Sequence, residues 1–243
     1  MKRLISGLAL AIAFAASAQA QDAVPGSEVT FNAAAVSDYR YRGISQTRLR
    51  PALQGGVDWV DHDGGWYAGA WASTIRWTKD AGGDGSVEID LYAGKRGALG
   101  GGVTYDVGVL GYVYPSNGLH PDADTLELYG QLAYGPATLK YSDATTNLFG
   151  FADSRHSGYL DASLNHEIAA GWTVNLHAGR QQVRHHAAAD YTDWKAGVTK
   201  DLGAATVSLA YVGTNADKAA YASPANGKFT GRDALVVTVS KVF

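Results

Sequence analysis

The feature that most constrains this chain is the period of its hydropathy. Apolar residues recur at every second position along most of its length. Beyond the first twenty residues, no stretch approaches the roughly 18 consecutive apolar residues of a transmembrane helix. The alternation is clearest at Ser86 to Arg96. There Val87, Ile89, Leu91 and Ala93 share one face, and Glu88, Asp90, Tyr92 and Gly94 the other. The next run repeats it, with Val103, Tyr105, Val107 and Val109 opposite Thr104, Asp106 and Gly108, after a glycine-rich turn at Gly97 to Gly101. A chain patterned this way folds as half-buried strands.

Read throughout in this manner, the sequence predicts about twelve strands, at 29–42, 51–61, 66–77, 86–96, 102–113, 123–134, 137–149, 157–168, 172–183, 190–200, 204–214 and 230–243. Short turns at 62–65, 97–101, 135–136, 169–171 and 202–203 alternate with longer polar links at 43–50, 78–85, 115–122, 150–156, 184–189 and 215–229. This is the layout of an all-β, transmembrane, antiparallel up-and-down β-barrel of the bacterial outer membrane, with short turns and both termini on the periplasmic side.

The first twenty residues stand apart. Lys2 and Arg3 precede an apolar run from Leu4 to Ala16, and Ala18-Gln19-Ala20 offers the small-x-small site of a signal peptidase. Residues 1–20 are therefore expected to be a cleaved export signal and 21–243 one barrel domain; a retained helical anchor is the alternative. The chain has no cysteine, which excludes a disulfide-stapled secreted module. Its formal net charge is -3, with the two signs interspersed and no basic run to follow a phosphate backbone, so nucleic-acid binding is not expected.

Alternation does not say which face is inside, and a lipocalin-like soluble barrel alternates too. Three features favour an outward apolar face. A barrel of about twelve strands is too wide for Val, Leu and Ala to fill, since about eight is where side chains suffice. Tyr39, Tyr41, Tyr67, Trp77 and Trp172 fall at predicted strand ends, where an amphipathic ring suits a membrane–water interface. The third is the terminal run Leu235 to Phe243, which alternates and stops on an aromatic. It resembles the C-terminal signal by which outer-membrane barrels are recognised for assembly, with Phe243 as its aromatic and Lys241 as a departure.

The segment Val36-Ser37-Asp38-Tyr39-Arg40-Tyr41-Arg42-Gly43-Ile44-Ser45-Gln46-Thr47 resembles the opening signature of the TorF-type porin family of proteobacteria. The resemblance continues at Pro51 to Gly56, Gly69 to Ser73, Glu88 to Gly94, Tyr112 to Pro115, Glu127 to Tyr129, Tyr191 to Lys195 and Ser208 to Val212. It implies an outer-membrane location and a pore. It supplies no substrate and no catalytic residue.

With apolar faces toward lipid, the opposite faces line the lumen. The expected pore-lining residues are Asp38, Arg40, Arg42, Asp58, Arg76, Glu88, Asp90, Arg96, Asp106, Glu127, Lys140, Asp161, Asp193 and Lys195. A Lys or Arg turned to lipid at the midplane costs about 2–4 kcal/mol, which favours this facing. Such charges either select solutes across an open lumen or pair and close it. Arg40 and Arg42 have a further reading, in which they reach outward to lipopolysaccharide phosphates. Catalysis is not expected, because the nearest His–Ser fragment, His156-Ser157, places adjacent side chains on opposite faces. His185-His186, with His177, lacks a firm third metal ligand. No cofactor is implied. The expected partners are outer-membrane lipid and lipopolysaccharide, the barrel-assembly machinery during biogenesis, and small solutes diffusing through a pore. A closed barrel serving adhesion, surface binding or envelope integrity is the alternative.

Overall fold

The computed structural model describes residues 26–243, so the expected export signal lies outside the described residues. The strands are β1 (Ser27–Val36), β2 (Arg40–Tyr41), β3 (Ile44–Ser45), β4 (Ala52–Asp61), β5 (Trp66–Thr74), β6 (Val87–Gly100), β7 (Val103–Val113), β8 (Thr125–Tyr134), β9 (Ala137–Ala144), β10 (Gly158–Ala169), β11 (Trp172–Gln182), β12 (Tyr191–Asp201), β13 (Thr206–Thr214) and β14 (Ala234–Val242). A single helical turn, α1 (Trp77–Asp80), follows β5. Twelve strands, β1 and β4 to β14, form one closed antiparallel barrel in chain order. The seam joins β1 to β14, from Asn32 opposite Val242 to Val36 opposite Thr238. Closure leaves no unpaired edge, as a strand-built membrane protein requires.

The expected boundaries hold within about four residues except at the seventh expected strand, β9, which ends at Ala144 rather than at residue 149, and at the first. The first ends at Val36 rather than at residue 42, and the chain then turns into the barrel. The turn between β6 and β7 is also shorter than expected. β6 continues through Gly97 to a bulge at Ala98/Gly100, leaving only Gly101-Gly102 as the connection. Short connections gather at one end of the barrel, the turn end, and the segments 37–51, 75–86, 114–124, 145–157, 183–190 and 215–233 at the other, the loop end.

The pleat sets the two faces. Leu53, Leu91, Leu128, Leu132, Leu160, Val237 and Leu235 point outward and stay exposed, Leu235 at 67%. An apolar surface encircling the whole barrel is far larger than a soluble monomer tolerates and matches the hydrocarbon of a bilayer. Aromatic rings edge it at both ends: Trp59, Trp66, Tyr134, Trp172 and Phe243 at the turn end, and Tyr141, Trp194 and Tyr211 at the loop end. Three outward turn-end lysines lie over rings, Lys95 on Trp66, Lys200 on Trp172 and Lys241 on Phe243, at 4.9, 5.1 and 5.0 Å. Their ammonium groups lie at the edge of the apolar belt, each against a ring.

Of the five aromatics expected at the interfaces, only Trp172 lies on the outer surface. Tyr39 and Tyr67 are buried inside the barrel, Tyr41 is on the inserted hairpin, and Trp77 stacks edge-to-face on Tyr114 in the loops. Sequence position near a strand end does not reveal which face a residue takes when the strand itself ends early.

Candidate functional site

The loop-end half of the lumen is occupied by the protein's own first loop. Residues 40–45 form a two-stranded hairpin, β2 paired with β3, with Arg42-Gly43 as its two-residue turn. Both turn residues have positive φ, 46° and 79°, the geometry whose twist matches a tight hairpin. Gly43 is required twice over. A side chain there would be strained, and its Cβ would lie 2.8 Å from the Cβ of Asp193 on the barrel wall.

Arg42 carries the tip across the lumen. Its guanidinium donates to both Glu127 carboxylate oxygens, at 2.9 and 2.7 Å, and to Gln181 Oε1 at 2.7 Å. It also lies 4.1 Å over the Tyr159 ring. The fork thus spans β8, β10 and β11 and satisfies a carboxylate that is only 2% exposed. Arg40 serves the base of the hairpin, donating to Asp38 at 2.6 Å and to the carbonyls of Gly43, Thr230 and Arg232. Asp38 also accepts from Ser45 and Thr47. The side chains of Arg40 and Arg42 are 5% and 8% exposed, so neither points outward. The reading that they reach lipopolysaccharide phosphates is overturned: the strand that would have held them upright ends four residues before Arg40.

Around this hairpin the wall is aromatic. Tyr39 meets Trp71 edge-on, and Tyr41, Tyr112 and Phe149 form a mutual edge-to-face group. Tyr41 and Tyr112 hydroxyls bond at 2.7 Å. Width alone did not leave the interior open, because large rings and an inserted loop supply volume that Val, Leu and Ala do not.

The acidic residues of the wall lie on one side. Glu88 and Asp90 on β6 and Glu127 on β8 are buried at the loop end. Tyr39 donates to Glu88 at 2.8 Å. Nearer the turn end, Tyr92 donates to Asp58 and Tyr67 to Asp106, each at 2.5 Å, and Arg96 lies over Tyr67. Tyr92, Tyr67 and also Tyr129 on β8 lie against glycines of the neighbouring strand, Gly69, Gly94 and Gly108 respectively.

The opposite wall, β9 to β12, carries a second constellation. His177 stands between two carboxylates, with Nε2 2.7 Å from Asp193 and Nδ1 3.3 Å from Asp161. Ionised carboxylates only accept, so the ring serves both by donating from both nitrogens, as the imidazolium. Ser163 donates to Asp161 at 2.6 Å and Tyr159 to Asp193 at 2.8 Å. The trio Ser163, His177 and Asp193 superficially resembles a nucleophile–base–orienter set. A ring already donating at both nitrogens cannot take the serine proton, however, and Ser163 is committed to Asp161. Lys140 stacks on Tyr129 at 3.8 Å, and Lys195 lies between the fields of Asp161 and Asp193 without pairing with either. Between the hairpin and this wall is a cavity of about 200 Å³.

Of the residues expected to line the lumen, Asp58, Glu88, Asp90, Arg96, Asp106, Glu127, Lys140, Asp161, Asp193 and Lys195 stand on the inner face of the wall. Asp38, Arg40 and Arg42 are inside too, but on the inserted segment rather than on β1. Arg76 is elsewhere: it precedes α1 in the 75–86 loop and is exposed, because β5 stops at Thr74. Sequence reasoning missed Ser163 and Gln181. It grouped His177 with His185 and His186, which instead bond the carbonyls of Asp153 and Ala152 in the loops. The signal was present, since Ser163, His177 and Gln181 alternate with the outward Ala162, Leu164, Leu176 and Arg180. Among the described residues, no cluster of His, Asp and Glu has metal-holding geometry.

A closed barrel of twelve strands with an apolar belt and a charged interior is the architecture of an outer-membrane β-barrel. The chain belongs to the family described as "Bacterial protein of unknown function (Gcw_chp)", whose profile matches residues 20–243. Among solved structures, it is similar to the KdgM porin, with a TM-score of 0.55, 5% identity, and coverage of 89% of this chain and 98% of that one. The KdgM porin in complex with disordered oligogalacturonate matches equally well. A chain from a study of the in-meso crystallization of membrane proteins matches with a TM-score of 0.52 and 10% identity, over 88% of this chain and 83% of that one. At these identities what is shared is the fold. Comparison with curated proteins finds no significant match.

Proposed function

We propose that this barrel is an outer-membrane channel for small polar solutes or ions, exported with removal of residues 1–20, and narrowed at its outer mouth by the β2–β3 hairpin. The observation that carries this reading is the cavity of about 200 Å³ lined by charged and hydroxylated side chains, inside a barrel whose outer face is apolar. A barrel built only to be filled has no use for unpaired ammonium groups facing such a space. Lys140 and Lys195 line the cavity, while Asp58, Glu88, Asp90, Asp106 and Glu127 on the facing wall stand back from it. The same fold in a porin solved with oligogalacturonate supports a route for solutes through a barrel of this size. The motif resemblance to TorF-type porins supports the same reading. No catalytic role is assigned, and the partners are membrane lipid, lipopolysaccharide and the assembly machinery, with Phe243 as the assembly signal.

Single-channel recording in KCl after reconstitution of the folded protein in a planar bilayer tests this. Discrete, reproducible current steps are expected. Silence from folded barrels would overturn the channel reading in favour of a closed barrel, which the dense aromatic and Arg42 contacts of the hairpin favour.

A further inference from the structure

The charges facing the cavity do not cancel, and the excess lies on one wall. Asp38 is paired with Arg40, and Arg42 is neutralised by Glu127, which itself stands back from the cavity. Asp161 and Asp193 both hold the imidazolium of His177 and accept from Ser163 and Tyr159 respectively. That trio keeps one net negative charge, so Lys140 and Lys195 leave the wall with an excess of one positive charge. Both line the cavity, and neither makes a hydrogen bond or ion pair with a described residue. They occupy adjacent rungs of the same inner face. Lys140 is opposite Asp161 on β10, and Lys195 is opposite His177 on β11, whose other neighbour is Ser163. Two ammonium groups facing one confined space, each short of an acceptor, are a site that an anionic group completes.

The rest of the lining says what the anion is attached to. Toward the turn end the same wall becomes neutral and hydrogen-bonding. Thr199 donates to Asn175 and Asn175 to Asn165, each at 2.7 Å. That chain leaves the Asn165 amide donors and Thr138 nearby open to the cavity. Amides and hydroxyls of this kind recognise hydroxyls.

We propose that the β9–β12 wall is a binding site for a small polyhydroxylated solute bearing one carboxylate, such as a sugar acid. Lys140 and Lys195 hold the carboxylate, and Asn165 and Thr138 the hydroxyls. This deepens the channel reading by naming its solute class, and rests on that reading for the route of entry.

The test is isothermal titration of the folded, detergent-solubilised protein with sodium glucuronate, glucose and glucose 6-phosphate, which differ in the anionic group alone or nearly so. Glucuronate is expected to bind at least tenfold more tightly than glucose. A protein carrying Lys140→Gln and Lys195→Gln is expected to lose that preference, and one carrying Lys140→Arg and Lys195→Arg to keep it; heat-modifiable gel mobility confirms that each barrel is closed. Equal affinity for glucuronate and glucose, no heat from either, or a preference that survives the double Gln change would overturn the site. Binding of glucose 6-phosphate alone would overturn the carboxylate assignment. Glucuronate binding by a barrel that passes no current defeats the channel and leaves the site standing. Current through a barrel that does not discriminate among the three does the reverse.

Discussion

Arg42 ties the hairpin tip to β8, β10 and β11, and its removal is informative because of what it leaves behind. Glu127 is almost wholly buried, and its carboxylate is neutralised by this one guanidinium. Stripping one partner from a buried, hydrogen-bonded ion pair costs about 3–5 kcal/mol, because the other charge stays desolvated. Arg42→Ala is therefore expected to release the hairpin, with faster tryptic cleavage at Arg48 and larger single-channel current. Arg42→Ala combined with Glu127→Ala removes the orphaned charge and is expected to recover part of the lost stability. Unchanged cleavage and current in the single variant would mean that the aromatic contacts alone seat the loop. Gly43→Val acts at the same place by a different cause, forcing a β-branched residue into a left-handed turn against the wall. The same loosening is expected, with Glu127 still paired if the tip merely shifts.

At the scale of the element, the hairpin is expected to behave as a detachable obstruction. Replacing residues 38–50 by a short Gly-rich turn leaves the β1–β4 ladder intact, since its ten paired residues lie below the loop. Conductance is expected to rise several-fold while heat-modifiable mobility is retained; an unchanged conductance would place the constriction elsewhere. The strands that build the barrel were legible in the sequence because each keeps period two between glycine-rich turns, and β6 and β7 show it most plainly. The hairpin was not legible for the same reason. Tyr39, Tyr41 and Arg40, Arg42 continue the alternation of β1 without a break, and alternation says nothing about whether a chain climbs the wall or folds into the lumen. The Arg-Gly pair between two short alternating runs was the available clue, weaker than Asn-Gly. His177 was legible as an inner-face residue but not as the bridge between Asp161 and Asp193, because those contacts depend on the register of three consecutive strands, which alternation does not give.

For the whole molecule, the facing of every strand is fixed by the bilayer. Leu128 and Glu127 are neighbours on β8, one exposed at 53% and the other buried. Leu128→Lys is expected to cost about 2–4 kcal/mol if it sits near the bilayer midplane. Urea unfolding in lipid vesicles measures this, and an unperturbed midpoint would place Leu128 near a headgroup region.

The inserted hairpin also imposes an order of events on assembly. It is among the first parts of the barrel made, yet its seat is contributed by β7, β8, β10 and β11, and it is roofed by the 215–233 segment. Arg42 meets Gln181 across 139 residues, and Arg40 meets Arg232 across 192. Contacts of such separation form late, after the intervening chain has been organised. The loop made early therefore completes its contacts only once β11 and the 215–233 segment are in place.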